Sequence, residues 1–310
     1  MNFLIMGSGA IGGYIGARLI EANHKVVFIA RGLQLEALEK NGLQINSEIG
    51  NLVLKNIVAS ADPGNFVAPD VIIFCVKLPD TQKAAEACLP IIGDQTSVLT
   101  LQNGVESSSE LAKFFGEKAV LGGTIYIACH LSKPGLVQHF GQKSHIIFGE
   151  HFKSKSKRLE QIQSAFSKTS LKATISNDIE TEIWKKFIGL VALSGATTIS
   201  RLPIRTLLAN PHSASLIENL MRETLLLARA MGINLSEAVI DNHKQFFKSV
   251  SPQMTSSMFQ DLNDGRRLEL EWLSGGVVRM SKKLGLSAPK NETIYAALKL
   301  YENGAPKLVS

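Results

Sequence analysis

Apolar and polar positions follow two different rhythms along this chain, and the change between them divides it. The first half carries short, continuous apolar runs: Phe3-Leu4-Ile5-Met6, Lys25-Val26-Val27-Phe28-Ile29-Ala30, Val71-Ile72-Ile73-Phe74-Cys75-Val76, Ser97-Val98-Leu99-Thr100-Leu101, and Ala119 to Ala128. Runs without alternation suit strands buried on both faces, as in a parallel sheet covered by helices. Helical patterns lie between them, with Ile15, Leu19 and Ile20 after the first run and Thr81 to Leu89 after the third. Strand and helix in turn predict a doubly wound α/β domain over residues 1–176. From residue 177 the strand signal fades. Leu216 to Met231 ends at Gly232, Leu268 to Leu284 at Gly285, and Thr293 to Tyr301 before Asn303-Gly304. Glycine is favoured just past a helix C-terminus, so residues 177–310 are predicted to be all-α.

Composition narrows the class. A chain of 310 residues that is 45% hydrophobic and 19% charged has enough apolar side chain to fold, which excludes disorder. The net charge of +6 is unevenly spread. Between His151 and Lys172, Lys153, Lys155, Lys157, Arg158, Lys168 and Lys172 face a single acid, Glu160, so +5 of the +6 sits in one stretch. That stretch reads as a loop and an amphipathic helix with Leu159, Ile162, Ala165 and Phe166 on its apolar side. With one aromatic pair, His151-Phe152, and no recognised motif, it predicts no nucleic-acid partner. Cys75, Cys88 and Cys129 show no metal or paired spacing, which predicts a reduced, cytoplasmic protein without structural zinc. The apolar start lacks a positive n-region, and Phe187 to Ser200 falls short of the ~18 apolar residues of a spanning helix, so no membrane association is expected.

The first candidate chemistry is Gly7-Ser8-Gly9-Ala10-Ile11-Gly12, a G-x-G-x-x-G between a strand and a helix. Gly7 allows the tight turn, Gly9 lets backbone approach a pyrophosphate, and Gly12 lets helix pack on strand. The N–H groups of Ala10 and Ile11 would then face the anion at the helix N-terminus. A plain strand-to-helix turn is the competing explanation. Flanking strands make it a Rossmann-like dinucleotide site. The second strand ends in Arg31 instead of the acid that accepts the ribose 2′-hydroxyls of NAD. A guanidinium binds a 2′-phosphate bidentately, so the expected cofactor is NADPH; a solvated surface arginine is the alternative.

Several further segments resemble the ketopantoate reductase (2-dehydropantoate 2-reductase) family, nearly end to end. They are Gly9-Ala10-Ile11-Gly12-Gly13, Val76-Lys77, Leu101-Gln102-Asn103-Gly104, Thr255-Ser256-Ser257-Met258-Phe259-Gln260-Asp261, and Gly285-Leu286-Ser287-Ala288-Pro289-Lys290-Asn291. The resemblance implies a Rossmann domain joined to a helical domain, with the active site in the cleft between them. It implies that Lys77 and Asn103 border the nicotinamide, that Asn103 and Ser257 contact substrate, and that Glu269 orients the catalytic lysine or binds substrate. The family's catalytic lysine follows a tryptophan by two residues, which in Trp184-Lys185-Lys186-Phe187 is Lys186. Helical spacing agrees, placing Lys186 in the arc of Ile183, Leu190 and Leu193, and Lys185 with Gly189 and Ala192 opposite. A lysine on an apolar face loses solvation, which lowers its pKa and makes it a better proton donor near neutrality; a lysine snorkelling at the core edge is the bland alternative. Glu269, with Leu273, Gly276 and Met280 along its predicted helix, would pair with that ammonium, or else with Arg266 or Arg267.

One departure bears on substrate. Positions four and eight residues after the lysine are usually asparagines in the family, and here are Leu190 and Ser194. The expected activity is NADPH-dependent reduction of a 2-oxo acid, 2-dehydropantoate by resemblance, by a monomer or homodimer. A reductase of a less polar 2-oxo acid is the nearer alternative, and a non-enzymatic NADP(H) sensor the more distant one.

Overall fold

The computed structural model describes residues 1–151 and 156–305, and the chain divides into two compact units, Met1–Glu182 and Ile183–Ser310. Phe152, Lys153 and Lys155 of the basic stretch lie outside the described residues.

In chain order, the first unit runs β1 (Asn2–Met6), α1 (Ala10–Glu21), β2 (Lys25–Ile29), α2 (Gly32–Asn41), β3 (Leu43–Ser47), β4 (Leu52–Leu54), β5 (Val58–Ser60), β6 (Val71–Phe74), α3 (Thr81–Cys88), β7 (Ser97–Thr100), α4 (Ser107–Phe115), β8 (Val120–Lys133), β9 (Leu136–Gly149), α5 (Lys157–Phe166) and β10 (Lys172–Ile175). Among the described residues the sheet order is β4-β3-β9-β8-β7-β6-β1-β2-β5, with β10 on β9. From β8 to β5 every pairing is parallel. The chain moves outward from β1 to β2, forms β3 and β4 beside β9, adds β5 outside β2, and then returns to β6 on the other side of β1. Strand order therefore reverses between β1 and β6, the place where open α/β sheets bind ligands beyond their carboxyl ends.

Alternate residues of β1 serve different cores. Phe3 and Ile5 join one cluster with Tyr14 and Ile15 of α1 and Phe166 of α5. Leu4 and Met6 join another with Ile72, Phe74, Ala84 and Leu111. With both faces buried, neither set can be polar, which explains the unbroken apolar runs.

The sheet is mixed, whereas the sequence predicted a parallel one. β8 extends beyond the predicted Ala128 to Lys133 and turns back as antiparallel β9, and β3 pairs with β4 antiparallel. In β9 polar residues such as Gln138 and Gln142 interrupt the apolar ones, so it lacks the run that marks a doubly covered strand.

The basic stretch has a structural explanation. Leu159, Ile162, Ala165 and Phe166 of α5 are buried, while Lys157, Lys168 and Lys172 point to solvent. Arg158 lies against the Glu150 carboxylate, its Nε 2.7 Å from Oε1.

The second unit continues α6 (Ile179–Ser200), which begins in the first, with α7 (Ile204–Leu208), α8 (Pro211–Ala230), α9 (Ala238–Ser249), α10 (Ser257–Asn263), α11 (Ser274–Lys283) and α12 (Pro289–Lys299). α8 begins five residues before the predicted start, because Pro211 occupies its first turn and the Asn210 side chain accepts from the His212 and Ser213 amides. α12 starts at Pro289, with the Glu223 carboxylate accepting from the Lys290 and Asn291 amides at 2.8 and 2.9 Å.

The predicted helix from Leu268 to Leu284 is corrected. Its helical part starts only at Ser274, and Glu269 lies in a turn instead of on a helix. The Leu268 amide donates to the Glu302 carbonyl, and the Glu269 carbonyl accepts from both Trp272 and Leu273. The helix is interrupted just before Ser274, where the Leu273 backbone, at φ −93° and ψ −101°, lies outside the helical region. Gly275 then lets α12 approach, since a Cβ there would stand 2.7 Å from the Tyr295 ring.

Among the described residues, no helix is long and apolar enough to cross a membrane.

Gly7, at φ +98°, has no room for a side chain: a Cβ would lie 2.6 Å from the Val76 nitrogen. Gly7→Ala should therefore lose about 2 kcal/mol or more of stability, from overpacking and backbone strain together. Urea denaturation measures it, and a loss below ~0.5 kcal/mol would contradict the packing described here.

Candidate active site

The first unit gathers one group of predicted residues at the strand reversal. After β1 the chain turns at Gly7, and the amides of Gly7 and Ser8 both reach the Ile29 carbonyl at the end of β2, at 3.3 and 3.0 Å. The Ser8 hydroxyl donates to the same oxygen at 3.0 Å. Gln34 fixes the loop from α2, its Nε2 donating to the Ser8 carbonyl at 2.8 Å and its Oε1 accepting from the Gly135 amide at 2.9 Å. At Gly12 a Cβ would fall on the Gly7 carbonyl oxygen, so helix and loop can approach this closely only with glycine.

Gly9 is different. A Cβ there would meet nothing within 4 Å. Gly9 is also the N-cap of α1, gives the first amides no side-chain cap, and no acid stands in the first turn. The turn thus leaves the amide end of α1, with Ala10 and Ile11, facing open space. This is the environment that a diphosphate needs, so the residues fit a dinucleotide.

Arg31 occupies the N-cap of α2 just beyond β2; it is exposed and makes no ion pair among the described residues. No carboxylate takes the position that would accept ribose hydroxyls.

Beyond β6, Val76 packs against Gly7, and Lys77 follows half-buried. Beyond β7, Gln102 is buried, Asn103 is half-buried, and Gly104 turns the chain at φ +85°. The glycine loop, Val76-Lys77 and Gln102-Asn103 therefore lie side by side at the carboxyl ends of β1, β6 and β7.

The second unit holds the other group, on and around α6. Trp184 and Phe187 pack edge to face, centroids 5.5 Å apart, which anchors this turn of the helix. Lys186 is half-buried on the stripe with Leu190 and buried Leu193. Desolvation lowers the Lys186 pKa to about 8, while the nearby Glu269 carboxylate acts in the opposite sense. Lys186 and Glu269 are thus brought into electrostatic reach, with Glu269 carried by a turn.

Beside that stripe, α6 meets His243 of α9. A Cβ at Gly189 would collide with the His243 ring, whose Nε2 donates to the Lys185 carbonyl at 2.7 Å. Burial lowers the His243 pKa, against the Lys185 carbonyl, so the ring is a neutral brace for the turn that carries Lys186.

Eleven residues after Lys186, three turns along the same stripe, Thr197 meets Ser256 at 3.0 Å between hydroxyl oxygens. Ser256 caps α10 by accepting from the Phe259 amide at 3.0 Å, which leaves Ser257 exposed at the start of that helix. Ser194 is sealed, at 1% exposure, and its Oγ has no hydrogen-bond partner among the described residues. Leu190 keeps part of its surface accessible.

Gln34, Gln102, His243, Thr197 and Ser256 were not singled out from the sequence. Of these, only Gln102 and Ser256 lie inside recognised segments; the others owe their position to contacts distant along the chain.

Comparison with known proteins gives the lineage. The family model for ketopantoate reductase, PanE/ApbA, matches residues 3–152, and the model for that family's C-terminal part matches residues 178–302. An uncharacterised oxidoreductase of Bacillus subtilis is 32% identical over 97% of this chain and 99% of its own length. A 2-dehydropantoate 2-reductase of Archaeoglobus fulgidus is 30% identical over 97% of both chains. The crystal structure of a PanE/ApbA family ketopantoate reductase from Ralstonia eutropha superposes with a TM-score of 0.90 at 30% identity, covering 97% of this chain and 98% of that one. With a Rossmann-like sheet and a helical unit matched in turn, this chain belongs to the ketopantoate reductase family, oxidoreductases that act on a CH–OH group with a nicotinamide cofactor.

Proposed function

We propose that this chain reduces 2-dehydropantoate to pantoate, a step of pantothenate biosynthesis, with NADPH as cofactor. The observation that carries the reading is Lys186, whose pKa of about 8 keeps it protonated at neutral pH yet ready to give the proton up. A protein that only senses NADP(H) needs no such group.

The first unit supplies the cofactor site. Ala10 and Ile11 at the start of α1 receive the diphosphate, Gly7, Gly9 and Gly12 allow its approach, and Arg31 pairs with the 2′-phosphate. Lys77 and Asn103 border the nicotinamide, and Asn103 also contacts substrate. When bound, NADPH supplies a hydride to the C2 carbonyl carbon of the 2-oxo acid.

The second unit supplies the proton. Negative charge grows on the carbonyl oxygen as its carbon is reduced, and the Lys186 ammonium stabilises that charge more in the transition state than in the ground state. Lys186 Nζ then passes a proton to the oxygen, giving the 2-hydroxy acid, and takes another from solvent. Glu269 opposes the desolvation of Lys186 and keeps it cationic at neutral pH. Ser257 contacts the substrate and Leu190 lines part of the remainder, whereas Ser194, expected from the sequence to reach substrate, is sealed inside the helical unit at 1% exposure.

Leu190 favours a second reading. An isobutyl group replaces a hydrogen-bonding amide, so that wall discriminates weakly for a substrate hydroxyl and accepts a less polar 2-oxo acid. Steady-state assays with NADPH and a panel of 2-oxo acids separate the two. The first reading requires 2-dehydropantoate to have the highest kcat/KM, and a branched or aromatic 2-oxo acid ranking above it would establish the second.

Lys186→Ala should lower kcat by about two to four orders of magnitude while NADPH binding is retained; near-normal turnover would remove Lys186 from the mechanism.

The pH profile follows from the sign of the shift. A donor with a pKa of about 8 is protonated below that pH and deprotonated above it, so kcat should be flat near neutrality and fall through pH 8. Because the Glu269 carboxylate raises the lysine pKa, Glu269→Gln should move this falling limb to lower pH. A limb that stays or moves upward would refute the pairing.

Arg31→Ala should weaken NADPH binding by about ten-fold or more and leave NADH nearly unchanged, as expected for loss of one charge-assisted pair. Equal effects on both cofactors, read by fluorescence titration, would show that Arg31 does not meet the 2′-phosphate.

A further inference from the structure

We propose that Gln102 is a positioning residue that fixes the geometry of the nicotinamide end of the site by clamping the Val76–Lys77 peptide. The inference rests on the reading that Lys77 and Asn103 border the nicotinamide. It adds a residue with its own place in the mechanism.

The Gln102 side chain is buried, at 7% exposure, and makes three hydrogen bonds, using both N–H directions and one of the two acceptor positions on its oxygen. Its Nε2 donates to the Val76 carbonyl at 3.0 Å and to the Thr81 hydroxyl at 2.7 Å. Its Oε1 accepts from the Thr100 hydroxyl at 3.2 Å, and Thr100 Oγ1 in turn accepts from the Gln102 amide at 3.3 Å. Thr81 passes its own proton to the Leu78 carbonyl at 2.8 Å. The pattern fixes the amide orientation, because reversing it would set Oε1 against the Val76 carbonyl oxygen.

A carbonyl oxygen and the following amide lie in one rigid plane. By holding the Val76 oxygen, Gln102 therefore sets the plane from which Lys77 departs. On the other side of the same residue, the Val76 nitrogen packs on Gly7 so closely that no Cβ fits. Val76 is thus held between the glycine loop and the end of β7. The Gln102 backbone leads directly into Asn103, so one side chain links the Lys77 and Asn103 segments.

The anchors for the cofactor's other end do not pass through Gln102. The glycine loop is held by Ile29 and Gln34, and Arg31 stands on α2. Loss of Gln102 should therefore misalign the reacting end while leaving affinity almost intact.

The test compares Gln102→Met, which keeps volume and removes all three side-chain hydrogen bonds, with Thr100→Val, which removes only the Oε1 partner and the turn acceptor. For each, kcat, NADPH Kd by fluorescence titration and thermal melting are measured beside the unaltered protein. The expected result for Gln102→Met is a kcat reduced about 10- to 100-fold, the scale of an ångström-level misplacement, with NADPH Kd changed less than about three-fold. Thr100→Val should show the same split in milder form, and it carries the test if Gln102→Met does not fold. Folded variants with unaltered kcat would overturn the proposal. A fall in kcat matched by an equal weakening of NADPH binding would do so too, since it would mark general loosening. If the unaltered protein binds no NADPH, the cofactor reading fails and the positioning role falls with it. If it binds and turns over while the variants behave like it, only the role of Gln102 fails.

Discussion

The first unit depends on a packing constraint at Gly7. The end of β1 and the end of β6 come so close that nothing larger than hydrogen fits between the Gly7 Cα and the Val76 nitrogen, and a Cβ at Gly12 would in turn strike the Gly7 carbonyl. Protein interiors are packed at crystal-like density and cannot absorb an extra carbon there without moving backbone. Two consequences reach the chemistry. The amide end of α1 is delivered to the reversal of strand order, uncapped and open. The Val76-Lys77 segment is pressed against the glycine loop, so the spacing between Lys77 and that loop is fixed.

Around that point the polar groups are few and fully engaged. The Ile29 carbonyl collects three donors, Gln34 reaches from α2 to both Ser8 and the β8–β9 turn, and Gln102 satisfies Val76, Thr81 and Thr100 together. A buried amide held by three hydrogen bonds adds rigidity, and stripping its donors of partners would cost about 1–3 kcal/mol. The second unit uses the same means for a different end. His243 braces one side of α6 and the Thr197–Ser256 pair fixes α10 on another, so Lys186 leaves a helix that is held along its length. Its depressed pKa is a consequence of where that helix face lies, and Glu269 limits the shift.

Much of this could be read from the chain. The unbroken apolar runs marked the central parallel strands because both faces of such strands must be apolar, and the glycine spacing was informative because it fell between a strand and a helix. Lys186 was chosen over Lys185 by the family resemblance, and helical angle agreed, since 100° per residue places them on different faces. Glu269 was found as a residue and misplaced as structure: the stripe of Leu273, Gly276 and Met280 suggested one helix from Leu268, but the backbone at Leu273 is non-helical and the helix starts at Ser274. The β8–β9 hairpin was missed for the opposite reason, because a strand with interspersed polar residues carries no continuous apolar signal.

By itself, the sequence determined the alternation of elements, the glycine spacing after the first strand and the charge at Arg31, because periodicity and local spacing are properties of neighbouring residues, while the candidate acid came from the family resemblance. Tertiary structure alone decided that Arg158 of the basic stretch pairs with Glu150, that Ser256 is buried while Ser257 is exposed, and that Gln102 holds Val76. Each of these depends on partners beyond the immediate chain neighbours, and hydrogen bonding and desolvation act through space, where order along the chain gives no measure of distance.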